Sequence, residues 1–479
     1  LPHDSAPLHV TGTARYIDDV PMPSGTLHLA FGTSHVARGR IIACDLDAVR
    51  AAPGVVAVMT ENDLPFTNDV SPSIHDEPLL AIETVHYLGQ PIFLVVADSH
   101  LAARKAARLG KIEIAEETPI LTIEQAMEAD SRFEDGPRIW SKGDVDTTLS
   151  TAPNRLKSRI DMGGQEHFYL EGQAALALPQ EGGDMVVHSS TQHPTEIQHK
   201  VAEALGVPMH AVRCEVRRMG GGFGGKESQG NALAVACAVA ARALDRPCKM
   251  RYDRDDDMMI TGKRHDFRID YDVGFDATGR ITGIDFTHYT RCGWALDLSL
   301  PVADRAMLHA DNAYLLKAAR ITSHRLKTNT QSATAYRGFG GPQGVLGIER
   351  VMDHIAATLN LDQVAVRQAN YYAEMDQIVD AQQSGSGKRF GGAHSPKVKP
   401  QTTPYGMEVA DFILGNMTQS LLASADYTAR RAAIDEWNAK NTILKKGIGF
   451  APVKFGISFT LTHLNQAGAL VHVYSDGSI

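Results

Sequence analysis

The sequence predicts a mixed α/β (α+β) chain of more than one domain, on three observations. It has 479 residues, more than one hydrophobic core usually serves. Short apolar runs of strand length alternate with helical patterns along much of it. And a glycine-dense stretch, Arg217-Arg218-Met219-Gly220-Gly221-Gly222-Phe223-Gly224-Gly225-Lys226-Glu227, lies between a strand pattern at 211–216 and an Ala-rich helical pattern at Asn231–Leu244.

Composition narrows the class. A formal net charge of −9 argues against nucleic acid as the main partner. With 43% hydrophobic and 22% charged residues, the chain has the make-up of a globular protein. No apolar run reaches membrane-spanning length; Asn231–Leu244 is too short and contains Arg242, so no membrane association is expected. The first residue is Leu and no signal-type segment follows, so a trimmed start is expected. Cysteines stand at 44, 214, 237, 248 and 292 without any C-x-x-C pair, so they offer neither a zinc site nor an iron–sulfur cluster. A scattered, odd set suggests reduced thiols and a cytoplasmic setting.

Residues 1–122 read as one α/β domain. Strands are expected at 26–31, Val55–Met59, Pro91–Ala97 and 111–115. Asp45 or Asp47 can cap a short helix that stops at Pro53-Gly54, and Ser99 can cap a helix over 99–109. The histidines here are spread out and suggest no chemistry.

Residues 123–372 form the informative block. Ile197, Val201 and Leu205 share one face of a helix over 195–205, and Pro194 suits its first turn. Gln192 then lies at a strand end just before a helix N-terminus, able either to face a ligand or to cap its own helix. Pro247 is expected to end the Ala-rich helix. Segments 267–274 and 280–288 read as a hairpin around Asp276-Ala277-Thr278-Gly279. The acidic run 253–257, interrupted by Arg254, reads as a solvated loop rather than a metal site. Residues 373–404, with Ser384-Gly385-Ser386-Gly387 and Pro396, Pro400 and Pro404, read as a linker or insertion. Helical patterns resume over 407–422 and 427–439.

Five glycines in six positions let a backbone turn sharply or approach a bulky group closely. Gly220, Gly222 and Gly225 fit G-x-G-x-x-G, a weak signal in any glycine run. Gly220 to Lys226 also fits the front of a phosphate-binding P-loop, but Glu227 stands where Ser or Thr would ligate magnesium. A purely structural turn is the simplest reading of the loop alone.

Four further phrases change that weighting: Gly163-Gly164-Gln165-Glu166-His167-Phe168-Tyr169-Leu170-Glu171, Ser189-Ser190-Thr191-Gln192, Leu300-Pro301-Val302-Ala303-Asp304-Arg305-Ala306 and Ala335-Tyr336-Arg337-Gly338-Phe339-Gly340-Gly341-Pro342-Gln343. Together with the glycine loop, and in this order, they resemble the molybdenum-binding part of the xanthine dehydrogenase/oxidase family, nearest the separate molybdopterin subunit of its bacterial members. The resemblance covers nearly the whole chain. It implies a hammerhead domain at 1–122, a first molybdopterin-binding domain at 123–372 and the opening of a second at 405–479.

The resemblance also implies a molybdenum ion held by a pterin rather than by side chains, which accords with the lack of a ligand cluster. Gln192 would approach a molybdenum oxygen ligand, and Gly222, Phe223, Gly224 and Arg337 would contact the cofactor. Phe339 and Phe459 would sandwich a purine, Glu227 and Arg305 would act at its opposite edges, and Thr460 would add a polar contact. The implied reaction oxidises hypoxanthine and xanthine to urate with oxygen from water. Electrons would pass through 2Fe-2S clusters and FAD on a partner subunit to NAD, in an α2β2 assembly. The family's general-base glutamate finds no match here and is expected in the remainder of the second domain, either on another chain or beyond a truncation. Aldehyde oxidases generally lack the Glu227/Arg305 pair, which favours purine. An aldehyde or N-heterocycle oxidase of the same family, or a nucleotide-binding module built on the glycine loop, are the alternatives.

Overall fold

The Ala-rich helix forms over Asn231–Leu244 as the pattern predicts, buried on nearly every side from Leu233 to Ala241. It stops earlier than Pro247 requires: Asp245 takes a left-handed conformation, φ 50°, and closes the C-terminus. The computed structural model describes residues 3, 5–373 and 401–479.

Among the described residues the strands form three sheets. The largest runs in the order Val212–Glu215, Met185–Ser189, Ala174–Pro179, Cys248–Arg251, Leu27–Thr33, Pro91–Ala97, Val55–Met59. Residues of the 1–122 segment thus share a sheet with residues beyond 170: Leu27 and His28 pair in parallel with Cys248 and Lys249. The helices Pro194–Leu205 and Asn231–Leu244 pack on this sheet and close one core. A smaller sheet of Thr84–Val85, Gly39–Asp45 and Lys111–Glu116 covers a second core around Phe93 and Val49.

The third sheet is Arg138–Lys142, Ala319–Lys327, Ile281–Gly293, Phe267–Phe275, Asn154–Met162. The expected hairpin is its centre, with Asp276 Oδ1 accepting from the amides of Thr278 and Arg280 at the turn. Helices Ser299–Leu308 and Gly341–Leu359 lie against one another on this sheet. Their backbones come close because of glycine: a Cβ on Gly344 would sit 2.2 Å from the Ala306 carbonyl oxygen, and one on Gly340 would sit 2.0 Å from that of Val302.

Several elements match the sequence reading closely. Ser99 caps the helix His100–Ala107 by accepting from the Ala102 amide. Strands Val55–Met59 and Pro91–Ala97 fall where expected. The acidic run does not. Arg254–Ile260 is a helix, Asp257 is buried, and it accepts from the Tyr169 hydroxyl at 2.7 Å. Arg104 pairs with Asp253, Asp255 and Asp256, so an arginine supplies the counter-charge. The helix expected over 407–422 begins later, at Leu414, and is followed by Tyr427–Lys440. Of the expected linker at 373–404, residues 374–400 lie outside the described residues. Its flanks meet: Gln401 accepts from the Ala373 amide at 2.7 Å and donates to the Ala373 carbonyl at 2.8 Å.

Candidate active site

The glycine loop leaves the strand Val212–Glu215 and folds over Gln192. The Gln192 Oε1 accepts from the amides of Gly224 at 2.8 Å and Lys226 at 3.3 Å, while its own amide donates to the Lys226 carbonyl at 2.8 Å. Those donors fix which end of the carboxamide faces the loop. The Nε2 makes no hydrogen bond to a described residue. Gly222 lies so close that a Cβ there would stand 2.5 Å from Gln192 Oε1. At the apex Phe223 is held at φ 55° and is 46% exposed, between Gly221 and Gly224, both at positive φ. A phenylalanine in the left-handed region is a strained residue, and such strain collects at functional loops. Among the described residues, the amides of Gly221, Gly222 and Phe223 have no acceptor.

The second glycine phrase meets the first. The Arg337 amide donates to the Phe223 carbonyl at 2.9 Å, and a Cβ on Gly224 would lie 2.6 Å from the Ala335 oxygen. His167 wedges beneath: its Nε2 donates to the Ala335 carbonyl at 2.7 Å, and its ring stands 4.7 Å from that of Tyr336. Burial pulls His167 down to about 4, so it is a neutral donor. Arg264 clamps the loop from the other side, donating to the Arg337 carbonyl at 2.9 Å with its guanidinium 4.0 Å from the Tyr336 ring centre. The Arg337 side chain is exposed and pairs with no described carboxylate.

Arg305 projects from the helix Ser299–Leu308 and is 4% exposed. It donates to the carbonyls of Gly456 and Ser458, and no described carboxylate pairs with it. Its guanidinium stands 5.7 Å from the Phe339 ring centre and 5.4 Å from that of Phe455. The same helix and the turn that follows it grip the 452–460 segment. Thr460 donates to the Pro301 carbonyl at 2.7 Å, His309 Nε2 accepts from the Gly456 amide at 3.0 Å, and Asn312 Nδ2 donates to the Pro452 carbonyl at 2.8 Å. Phe339 repeats the strain of Phe223, with φ 52°, and its ring lies 5.1 Å from Phe459 at 50°. The rings touch each other; a planar guest between them needs two contacts of ~3.5 Å, about 7 Å in all.

Glu227 ends the first loop. Burial raises its carboxyl to about 7, with the charge of Asp297 pushing the same way. Asp297 is itself buried, accepts from Ser228, Gln229 and Thr334, and is raised to about 6 by burial. The sequence reading named neither Asp297 nor Arg264 as a functional residue, nor gave Glu171 and His167 roles. Only His167 and Glu171 lie within the stretch Gly163–Glu171 that carries the family resemblance. The Lys226 ammonium is fully buried and turned inward, at 2.7 Å from the Glu171 carbonyl, where it cannot serve a phosphate as a P-loop lysine does.

The donor set can be tested against a molybdenum pterin. Glycine backbone that a Cβ would block, unpartnered amides, an unused glutamine Nε2 and an unpaired arginine fit a bulky anionic group with oxygen acceptors. The only described group of three carboxylates, imidazoles or thiols able to share an ion is Asp253, Asp255 and Asp256, and all three already pair with Arg104.

Residues 129–371 match the family described as molybdopterin cofactor-binding domain, and residues 420–479 match a second family of that description. Residues 11–118 match the aldehyde oxidase and xanthine dehydrogenase a/b hammerhead domain. Xanthine dehydrogenase of Drosophila subobscura is 39% identical over 479 residues, all of this chain and 34% of that protein. Xanthine dehydrogenase 1 of Arabidopsis thaliana is 40% identical over 482 residues, again all of this chain and 33% of that protein. The chain thus spans about a third of the length of the curated relatives it matches. Among solved structures, the aldehyde oxidoreductase of Desulfovibrio gigas superposes with TM-score 0.78 at 25% identity, over 92% of this chain and 47% of that one. Quinoline 2-oxidoreductase of Pseudomonas putida 86 shares the fold, with TM-score 0.78 at 23% identity over 92% of this chain and 55% of that one. Geometry and likeness agree, and the chain belongs to the molybdopterin-binding family of aldehyde oxidases and xanthine dehydrogenases.

Proposed function

We propose that this chain holds the cofactor and substrate in a molybdenum hydroxylase that oxidises hypoxanthine and xanthine to urate. One observation carries the reading: Arg305 is a buried guanidinium with no described anionic partner, lying over the face of Phe339. The carbonyls of Gly456 and Ser458 meet its hydrogen bonds in part, but no described anion balances its buried charge, which favours a ligand that can. A purine supplies both a flat face for Phe339 and polar edges for Arg305. As negative charge develops on the heterocycle, Arg305 stabilises it in a site with little water. Glu227, raised to about 7, can hold or give a proton at the opposite edge near neutral pH. A site built from such paired polar groups discriminates strongly against ligands that lack them.

The cofactor, when bound, supplies the two-electron oxidation and the transfer of oxygen from water. Gln192 Nε2, the unpartnered amides of Gly221, Gly222 and Phe223, and Arg337 are the groups that would hold it. Phe459 stands with Phe339, and the two rings must part to admit a planar substrate. For electron transfer we infer a partner carrying 2Fe-2S clusters and FAD, with NAD as acceptor, in a cytoplasmic α2β2 assembly. Among the described residues no three cysteines approach closely enough to hold an ion. A second reading, oxidation of aldehydes or other N-heterocycles, is favoured by the likeness to the Desulfovibrio gigas aldehyde oxidoreductase.

The test uses the complete enzyme. Arg305→Met and Glu227→Ala each leave molybdenum content near normal and abolish most xanthine turnover. Unchanged xanthine turnover in both variants overturns the substrate assignment, and a panel of purines, aldehydes and quinolines then identifies the alternative.

A further inference from the structure

The glycine loop is closed at its base by a buried ion pair that the proposed chemistry does not use. Lys226 is 0% exposed, and its Nζ donates to the Glu171 carbonyl at 2.7 Å, to Glu171 Oε2 at 3.2 Å and to Ser190 Oγ at 2.7 Å. Its ammonium also lies 4.6 Å from the Tyr169 ring centre. Glu171 reaches the other end of the same loop: Oε2 accepts from the Gly220 amide at 2.8 Å, and the Glu171 amide donates to the Gly220 carbonyl at 3.0 Å. Its second oxygen, Oε1, accepts from the Ile17 amide at 3.0 Å, and Ser190 Oγ donates to Oε2 at 2.7 Å.

One glutamate therefore anchors the glycine run at both ends, holding the Gly220 amide on one side and the Lys226 ammonium on the other. The Lys226 backbone completes the device, since its carbonyl accepts from the Gln192 amide at 2.8 Å and from Thr191 Oγ1 at 3.2 Å. The pair fixes the span of the loop and the place of Gln192 together. Neutralising both charges with apolar groups would relieve their burial, yet would leave the amides of Gly220 and Ile17 without their acceptor.

We propose that Lys226 and Glu171 are positioning residues for the reaction: their buried pair sets the geometry that Gln192 and the Phe223 amide present to the cofactor. This rests on the reading of the loop as the cofactor wall, but not on the identity of the substrate.

The experiment compares Lys226→Met, Glu171→Gln and the double Lys226→Met/Glu171→Met in the complete enzyme. The readouts are Tm, molybdenum content, the electron paramagnetic resonance signal of the molybdenum centre, and kcat and KM on whichever substrate the wild type turns over. Lys226→Met is expected to lower kcat about tenfold or more with KM changed less than about threefold, and to alter the molybdenum signal. Glu171→Gln is expected to alter the signal in the same sense, more weakly. The double variant is expected to regain part of the Tm that Lys226→Met loses, while kcat and signal stay impaired. Wild-type kcat and signal in Lys226→Met overturn the proposal, as does a double variant that recovers Tm, kcat and signal together, which assigns the pair a purely structural role. If Lys226→Met does not fold, a wild-type signal in Glu171→Gln overturns it instead. Failure of xanthine as a substrate leaves the molybdenum signal readable, so the two ideas fail separately.

Discussion

The backbone amide of Arg337 donates to the carbonyl of Phe223 across 2.9 Å, joining two glycine loops that are far apart in the chain. Room for that bond depends on Gly224, which sits at φ 97° with its Cβ direction blocked by the Ala335 carbonyl. Gly224→Ala is expected to push the loops apart and destabilise the fold by about 1–3 kcal/mol, from backbone strain and overpacking. Denaturant unfolding measures the first effect. Molybdenum content of the complete enzyme measures the loss of the shared wall.

Strain at the loop apex predicts the opposite trade. Phe223 is held at φ 55°, a conformation glycine adopts without steric penalty. Phe223→Gly is expected to leave Tm unchanged or slightly raised while turnover falls. A fall in both would show that the ring packs for stability rather than for function.

Three carboxyls give the protein a definite pH dependence. Burial raises Glu227 to about 7, Asp297 to about 6 and Glu77 to about 8. A carboxyl raised in the folded state stays protonated there after the unfolded chain has ionised. Stability is therefore lost as pH rises from the unfolded carboxyl range, roughly 4, towards each folded value. Glu77→Gln keeps the shape and removes one such group, next to Asp297 and the Ser332 hydroxyl. Its Tm should exceed that of the wild type at pH 8 and converge with it near pH 4. A constant offset across that range would refute the titration of Glu77.

Beneath Arg305 lies an ion network that anchors its helix. Arg325 is buried and donates to Glu134 at 2.5 Å and to Asp304 at 2.6 Å, and Arg138 also donates to Asp304. Arg325→Met would leave Asp304 short of a partner in a buried setting. A loss of about 3–5 kcal/mol is expected, read by denaturant unfolding.

The sequence carried the family and the mixed α/β class because both rest on local signals. Ser99 as a cap, the Ala-rich run Asn231–Leu244 and the ordered glycine phrases are each readable within a short window. His167, Arg264 and Asp297 were not legible in that way. Each matters through residues far off in the chain, as when Arg264 clamps the carbonyl of Arg337. The acidic run misled for a related reason. Its charges suggested solvent, yet Asp257 is buried under the Tyr169 hydroxyl and its neighbours face Arg104 from another domain segment. The closing of the 1–122 strands onto Cys248–Arg251 likewise depends on long-range pairing that no window contains.

The Gln401 carboxamide clasps both the amide and the carbonyl of Ala373. One side chain thus ties residues 373 and 401 together, and losing that carboxamide would release both strands of chain at once.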